Sequence, residues 1–307
     1  MYSIGVVILN YNTTDSILEF YKKFKEYKNV EHFVIVDNCS TDGKFEKLKK
    51  IENEKIDVIN SGKNGGYAYG NNYGAKYLIE KYNVDLICIL NPDTYFEDED
   101  MLKIKEAFSS SEYVMLGAKT TDMEGNFSKR QYWKIPKFKD ELFDCFFITR
   151  KIKKKNDVLN ISSKEKIVEV PVIPGCFFVI KSDVLKEIGY LDDNTFLYYE
   201  ENILASKLEK RGYKRGIITD VVVKSDRNNS STNEISKNGQ NLKFTIESKK
   251  YYHNNYLNLN TLQKIILDIG MKFSILENKI IIKFKNNKLV IGNEGKNEKN
   301  RWIFTFD

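Results

Sequence analysis

One carboxylate stands where a buried strand stops. Asp93 follows the apolar run Leu86 to Leu90 and the turn signal Asn91-Pro92, and proline ends a strand because it lacks a backbone donor. A carboxylate there suits a hard divalent cation, since Mg²⁺ commonly takes one or two carboxylates plus substrate phosphates. The matching reaction is departure of a diphosphate whose charge the cation neutralises. The alternative is an ordinary strand-ending turn.

Two further carboxylates, Glu200 and Glu201, follow the aromatic run 196–199 at the start of a predicted helix. Aromatic surroundings tend to raise the pKa of a carboxylic acid, and a raised pKa suits a general base near neutral pH. The pair therefore offers a base for taking a proton from a hydroxyl group. The alternative is the usual enrichment of acidic residues at a helix N-terminus.

Asp37 comes directly off another apolar strand and could accept hydrogen bonds from a nucleotide base or a ribose. It could equally cap the turn 38–43 that follows it. Gly65 and Gly66 would let the backbone approach a ligand closely. The chain has no Gly-Lys-Ser or Gly-Lys-Thr sequence, which argues against P-loop ATPase chemistry.

The elements that must position these residues alternate along the first part of the chain. Four apolar strands, beginning near residues 4, 32, 56 and 86, alternate with segments of helical spacing at 17–27, 45–54, 68–82 and 98–108. This order predicts an α/β fold with a mostly parallel central sheet and right-handed crossovers. The polar strand ends then share one edge of the sheet, where ligands bind in such folds. These ends are Asn10–Asn12, Asp37–Gly43, Lys63–Gly66 and Asn91–Asp93.

The second part of the chain is less regular. Strands are predicted at 114–118, 168–173, 176–180 and 214–224, with helices at 182–188 and from the aromatic run to Arg211. A mobile loop is expected at 226–241. A long helix follows, with apolar residues on one face at Leu262, Ile266, Ile269, Phe273, Leu276 and Ile280. We therefore expect a main domain at 1–230 and a mainly helical C-terminal extension at 231–307.

Composition limits the function classes. The net charge of +6 over 307 residues is too diffuse to indicate nucleic-acid binding. Four scattered cysteines without a CxxC pair indicate reduced thiols, a cytoplasmic location and no zinc site. The chain has two histidines, which are too few for a histidine-rich metal site and argue against Ser-His-Asp catalysis. The start of the chain lacks the pattern of a signal peptide, and the longest apolar runs are too short to span a bilayer.

Six segments occur in the order and spacing of one enzyme family. The chain resembles the family 2 glycosyltransferases of the GT-A fold, and their rhamnosyltransferase-like branch most closely, over roughly residues 3–230. Each segment is a weak signal alone, but together they are specific. The segments are Val7–Asn12, Val36–Gly43, Asn64–Gly74, Leu90–Asp93, Pro174–Phe178 and Phe196–Glu201.

The resemblance implies a nucleotide-sugar donor, of the dTDP or UDP class, transfer with inversion, and Mg²⁺ or Mn²⁺. Asp37 would hold the base of the donor, Asp93 the metal and diphosphate, and Glu201 would be the catalytic base beside Glu200. The full donor-binding set that we expect is Leu9, Asn10, Tyr11, Asp37, Asn38, Lys63, Gly65, Asn71, Asn91 and Asp93.

Three departures from the family pattern matter. The Glu-Asp-x-Asp pattern here is Glu200 to Ile203, so the base is one methylene longer and the second aspartate is lost. Near Lys224 many relatives carry a metal-holding histidine, which this chain lacks. Lys224 offers a positive charge instead, so strict metal dependence stays open. Two alternatives stay open as well: a catalytically impaired GT-A domain that serves as a binding or assembly subunit, and a nucleotidyltransferase, although the early glycine-rich basic signature of that class is missing.

The acceptor implied by the resemblance is a growing cell-surface glycan or a lipid-linked precursor, with rhamnose or another hexose transferred. The stretch 129–155 holds ten basic and three acidic residues with interleaved aromatic residues. With the C-terminal helix, it predicts peripheral association with the inner membrane surface. The alternative is a solvated loop and a packing helix. Whether the chain forms a homodimer stays open.

Overall fold

The structure is a computed structural model that describes residues 1–146, 149, 161, 164–226 and 240–292, with side chains at 241–277 of the last range. The expected domain boundary at residue 230, most of the expected loop at 226–241 and the last five basic residues of the stretch 129–155, at positions 150–155, lie outside the described residues. By contacts the chain divides into two compact units, Met1–Lys137 with Asn156–Leu259, and Phe138–Lys155 with Asn260–Asp307.

The first unit contains a nine-stranded sheet in the order β3-β2-β1-β4-β8-β6-β9-β5, with β7 paired to β9. Strands β3, β2, β1 and β4 are mutually parallel, and β8 then joins β4 antiparallel. The predicted α/β fold with its parallel core is confirmed. The strands are β1 Ile4–Asn10, β2 His32–Asp37, β3 Ile56–Asn60, β4 Leu86–Leu90, β5 Thr94–Tyr95, β6 Met115–Thr121, β7 Ile167–Glu169, β8 Phe177–Lys181 and β9 Arg215–Ser225.

Helices cover both faces of the sheet because alternate residues of each buried strand point to opposite sides. In β1, Val6 and Ile8 pack in the cluster that includes α1, α2 and α4, whereas Val7 packs in the cluster that includes α3, α6 and α7. The helices are α1 Thr14–Phe24, α2 Phe45–Lys49, α3 Tyr67–Tyr82, α4 Asp98–Ser109, α5 Phe138–Asp144, α6 Ser182–Glu187, α7 Glu200–Glu209, α8 Gln240–Asn255 and α9 Thr261–Gly292.

Helix α3 lies close against the strands that precede the site. A Cβ atom at Gly70 would stand 2.3 Å from the Leu9 side chain, and one at Gly74 would stand 2.6 Å from Val7. These two glycines therefore serve helix–sheet packing. The close approach brings the N-terminus of α3 to the carboxyl ends of β1 and β2.

Some predicted elements differ in extent. Helix α2 ends at Lys49 instead of residue 54, because Leu48 is its one buried residue and little packing supports a longer helix. The strand predicted at 168–173 is the three-residue β7. Strand β5 was not predicted, since two residues carry no periodic signal; it forms by pairing with the end of β9.

The second unit contains α5 and α9. The Phe146 and Phe273 rings lie 5.7 Å apart, and a Cβ at Gly270 would stand 3.0 Å from the Cys145 sulfur. The long helix was predicted correctly, but its described buried residues are Leu267, Gly270 and Met271. The expected apolar face is largely exposed, at Leu262, Ile269, Phe273 and Leu276. No described helix combines the length and apolar character needed to cross a membrane.

Candidate active site

A cleft opens where the strand order reverses. The chain moves from β1 to β2 and β3 on one side, and β4 then pairs with the other side of β1. The carboxyl ends of β1 and β4 therefore border a crevice, the usual ligand position in such sheets. The cleft has a volume of about 220 Å³. Its lining is Leu9, Tyr11, Tyr67, Asn91, Pro92, Asp93, Gly175, Cys176, Leu197, Tyr198, Tyr199, Glu200 and Glu201.

Asp93 is buried at the base of this cleft, with 4% of its surface exposed. Its backbone is fixed on two sides: β5 begins at the next residue and pairs with the end of β9, and the Asp226 N–H donates to the Asp93 carbonyl at 2.8 Å. The same pairing sets Lys224 opposite Tyr95, with the lysine side chain exposed. The carboxylate thus stands on a rigid turn.

Glu200 and Glu201 begin α7 after a strained segment. Tyr198 and Tyr199 have φ angles of 74° and 72°, a left-handed conformation that costs roughly 1–3 kcal/mol for each such residue. Helix α8 supports the segment from outside: the Ser248 hydroxyl donates to the Leu197 carbonyl at 2.8 Å, and the Tyr252 ring lies 5.3 Å from the Tyr199 ring. The strain turns the chain so that both glutamates line the cleft.

Burial raises the pKa of both glutamates, as the aromatic run predicted. The pKa of Glu200 rises to about 8, through burial first and the charge of Glu201 second. For Glu201, burial raises the pKa, while backbone N–H groups, including that of Gly175 at 3.3 Å, and the charge of Arg130 oppose the rise. Glu200 Oε1 is buried without a hydrogen-bond partner among the described residues. At neutral pH Glu200 therefore keeps its proton, while the Gly175 N–H and the Arg130 charge counter the effect of burial on Glu201.

The corner after β2 is built differently. The Asp37 carboxylate accepts hydrogen bonds from the Asn10 amide at 2.7 Å, the Ser40 backbone N–H at 3.1 Å and the Asn60 amide at 3.3 Å. The Asn38 amide donates to the Gly66 carbonyl at 3.1 Å. Asn10, Asp37 and Asn38 are buried but do not line the cleft. The turn-capping role considered for Asp37 is present.

The remaining expected donor residues also lie outside the lining of the cleft. The Lys63 ammonium stands 4.8 Å from the centre of the Tyr69 ring, and that ring also leaves no room for a side chain at Gly65. The Asn71 amide donates to the Tyr67 carbonyl at 3.0 Å, and its Oδ1 is buried without a partner among the described residues. Leu9, Tyr11, Asn91, Asp93, Glu200 and Glu201 are the expected residues that meet in the cleft.

The residues of the cleft supply only part of the coordination shell that a divalent cation needs. The described residues contain no group of three or more potential metal ligands of the His, Cys, Asp or Glu type. Asp93 supplies one buried carboxylate beside the Asn91 amide in the cleft wall. One or two carboxylates suffice when substrate phosphates complete the coordination, so the site fits a cation that arrives with a diphosphate.

Sequence reasoning did not single out several residues of the cleft as site residues: Tyr67, Gly175, Cys176, Leu197, Tyr198 and Tyr199. All six lie in segments that carry the family resemblance, which was the available signal. The left-handed backbone conformation of Tyr198 and Tyr199 had no local signal, because tyrosine has no preference for that conformation.

Asp93, Glu200 and Glu201 thus line one cleft, at the point where the strand order of the sheet reverses. A family model described as Glycosyl transferase family 2 matches residues 5–189, and the chain belongs to that family. A curated relative, the "Low-salt glycan biosynthesis hexosyltransferase Agl10" of Haloferax volcanii, is 27% identical over 198 residues, which cover 64% of this chain. The match spans 59% of that relative's length.

Solved structures share the fold. The mannosyltransferase PcManGT of Pyrobaculum calidifontis, solved with GDP-Man and Mn²⁺, has a TM-score of 0.57 at 13% identity, over 90% of this chain and 73% of that one. S. aureus TarS 1-349 with UDP-GlcNAc has a TM-score of 0.56 at 15% identity, over 88% of this chain and 70% of that one. At these identities the likeness establishes the GT-A fold.

Proposed function

We propose that the protein is an inverting hexosyltransferase that moves a sugar, rhamnose or another hexose, from a dTDP- or UDP-sugar to a cell-envelope glycan or lipid-linked acceptor. The observation that carries this proposal is the switch-point cleft, which brings Asp93 together with the Glu200–Glu201 pair. The hexosyltransferase relative and the nucleotide sugars named with the structural neighbours support it.

In this proposal, Asp93 and Asn91 hold the diphosphate end of the donor at the end of β4. A divalent cation on Asp93 would neutralise the charge that develops on the departing diphosphate. The rigid turn around Asp93 keeps the carboxylate in place without reorganisation, which is how fixed polar groups lower a barrier. Asp37 and its hydrogen-bonded corner hold the base of the donor.

Glu201 is the proposed general base. It takes the proton from the acceptor hydroxyl while that oxygen attacks the anomeric carbon from the face opposite the diphosphate. The Gly175 N–H and the Arg130 charge favour its ionised form, and Glu200 keeps a proton beside it. Four tyrosines, Tyr11, Tyr67, Tyr198 and Tyr199, also line the cleft and supply aromatic surface for contact with the sugar.

The departure at Ile203 does not leave a gap in this arrangement. Ile203 is fully buried in the first turns of α7, so an apolar contact takes the place of the family's second aspartate. The competing possibility of an impaired domain makes a distinct prediction: such a domain would bind a nucleotide sugar without ever releasing the sugar.

Transfer is tested by a screen of nucleotides and nucleotide sugars with and without Mn²⁺. A ligand at 100 times its dissociation constant stabilises by about 2.7 kcal/mol, so thermal shift identifies the donor. Release of the free nucleoside diphosphate from that donor then separates an enzyme from a binding subunit. Donor binding without any release, in the presence of Mn²⁺ and of lipid or glycan acceptors, would contradict the proposed activity.

For the location, we propose that the second unit meets an anionic lipid surface. Phe143 and Phe146 are exposed beside the exposed face of α9, and α9 carries six lysines and two acidic residues. A net positive helix repels its own copy but attracts anionic lipid, at about 1 kcal/mol for each basic residue near the surface.

Vesicle sedimentation tests this location. Wild type should bind anionic vesicles at low salt, bind neutral vesicles weakly and lose binding as salt screens the charges. The double variant Ile269→Gln/Phe273→Gln should lose binding, while Met123→Gln/Phe127→Gln, at exposed positions of the first unit, should not. Dimerisation that the α9 variant abolishes, without vesicle binding, would assign this face to a second copy.

A further inference from the structure

Tyr67 connects three parts of the cleft. It is the first residue of α3, directly after the Gly65–Gly66 loop. Its backbone N–H donates to the Phe196 carbonyl at 2.9 Å, at the start of the segment that carries the two glutamates. Its hydroxyl donates to the Gly175 carbonyl at 2.6 Å. One residue therefore ties the glycine loop to both segments that surround the proposed base.

Gly175 in turn touches the base itself. Its N–H donates to Glu201 Oε1 at 3.3 Å, and a Cβ atom at this position would stand 2.7 Å from the same oxygen. Any side chain would therefore displace the carboxylate. The turn at Gly175 must also keep its own position, and the hydroxyl of Tyr67 is a contact that holds it.

The approach of α3 to the strained segment is equally close. Gly66 has a φ of +89°, and a Cβ there would stand 2.1 Å from the Phe196 carbonyl oxygen. Burial and the nearby Glu201 and Glu200 charges hold the pKa of Tyr67 well above its usual value. The hydroxyl therefore keeps its proton and remains a hydrogen-bond donor throughout the working range of pH.

We propose that Tyr67 is a positioning residue for Glu201, which sets the catalytic carboxylate through the Gly175 turn and the Phe196 carbonyl. The inference rests on the proposed function, because it assumes that Glu201 is the base. The network Tyr67–Gly175–Glu201 also gives the glycine loop a direct mechanical link to the base. A donor that orders this loop would thereby fix the base that activates the acceptor.

A positioning role has a kinetic signature. Misplacement of a reacting group by about 1 Å can cost 10²-fold in rate, and this loss falls on the transition state rather than on donor binding. Tyr67→Phe removes the hydroxyl and keeps the ring in the cleft wall. We expect kcat to fall about 10- to 100-fold, with the donor KM within about twofold of wild type.

Tyr27→Phe is the matched control. The Tyr27 hydroxyl also donates to a buried backbone carbonyl, that of Phe96, but it belongs to the apolar cluster on the opposite face of the sheet. Both variants lose the same kind of bond, so a general loss of stability would affect both. We expect the kcat of Tyr27→Phe to stay within about twofold of wild type.

Hydrogen–deuterium exchange gives a readout that needs no sugar transfer. Tyr67→Phe should speed exchange in peptides covering 173–176 and 196–203, and Tyr27→Phe should leave them unchanged. Gly175→Ala should lower kcat at least as far as Tyr67→Phe, with nucleotide affinity retained. Unchanged exchange in Tyr67→Phe, or a kinetic loss confined to the donor KM, would overturn the positioning role. A wild-type protein that turns over no donor, with exchange responding as expected, would count against the proposed function alone.

Discussion

Two aspartates at the same edge of the sheet stand in different surroundings. Asp37 is the last residue of β2, and Asp93 lies three residues after the end of β4. Both are buried. Asp37 accepts three hydrogen bonds from side chains and backbone of its own corner. Asp93 lies in the wall of the cleft with Glu200 and Glu201.

These different surroundings predict different consequences when a carboxylate is lost. In the corner after β2, removing the Asp37 carboxylate takes away the acceptor of three hydrogen bonds, which costs stability. In the cleft, burial raises the pKa of Glu200 and so makes its charged form costly to the folded state, which means that removing this charge can raise stability. Each of the following predictions addresses one side of this contrast.

The largest effect is expected for Glu201→Gln. A glutamine keeps the size and the contact with the Gly175 N–H but cannot accept a proton, and general-base contributions are typically about 10²–10⁴-fold. Steady-state kinetics should show a kcat loss of that order, with nucleotide affinity retained in a binding titration. If Glu200→Gln is the crippling change and Glu201→Gln is mild, the two glutamates have exchanged roles.

Asp93→Asn should follow. It keeps the shape of the cleft wall and removes the charge proposed to hold the cation, so turnover should fall about 10²-fold, the order seen when one electrostatic contact to a transition state is lost. Because asparagine keeps the shape of the side chain, the melting temperature should change by no more than about 2 °C. This corresponds to under about 1 kcal/mol in a chain of this size. Turnover within about threefold of wild type would remove Asp93 from the site.

Part of this contrast could be predicted from local sequence patterns, and part depends on tertiary contacts. The runs Ile4–Leu9 and Leu86–Leu90 are continuous apolar segments, so their strands, their polar ends and the shared edge could be predicted. The hydrogen bonds that Asp37 accepts could not be predicted. Their donors belong to residues 10, 40 and 60, and the approach of these residues depends on strand register. The left-handed Tyr198 and Tyr199 result from packing against α8, which no local pattern reports.

The buried face of the long helix α9 could not be predicted from the sequence either. Its sequence has apolar residues around more than one side, so the periodicity could identify a helix but not which side is buried. Leu267 and Met271 are buried, while Leu262 and Ile269 are exposed. Tertiary packing decides which of the two apolar faces is buried.

Asp37→Ala tests the hydrogen-bonded corner after β2. It leaves the Ser40 N–H without its carboxylate acceptor, at roughly 1–3 kcal/mol for a buried unpaired group, and it removes one of the three acceptors of the Asn10 amide. Thermal unfolding should show a drop of more than about 4 °C, since about 1 kcal/mol corresponds to 2–4 °C for a domain of this size. The donor KM should rise more than kcat falls, because base contacts act alike in the ground and transition states. A melting temperature equal to that of Asp93→Asn would erase the contrast between the two aspartates.

The smallest effect, and the one opposite in sign, is expected for Glu200→Gln. The folded state holds the Glu200 proton up to a pKa of about 8, compared with an ordinary value of 4.5. Its stabilising contribution is therefore complete below about pH 4.5 and is lost as pH rises through about 8. Glutamine mimics the protonated acid and does not titrate, so the variant escapes this loss.

The melting temperature of Glu200→Gln should accordingly match wild type near pH 5 and exceed it at pH 9 by a few degrees, at about 2–4 °C for each kcal/mol relieved. Glu46→Gln, which removes the same charge at an exposed position of α2, should show no such widening with pH. A variant less stable than wild type at pH 9 would mean that the ionised Glu200 has a partner in the folded state, and the cleft would then resemble the corner after β2. A gain at pH 9 would instead show that this wall of the cleft holds a charge at the expense of stability.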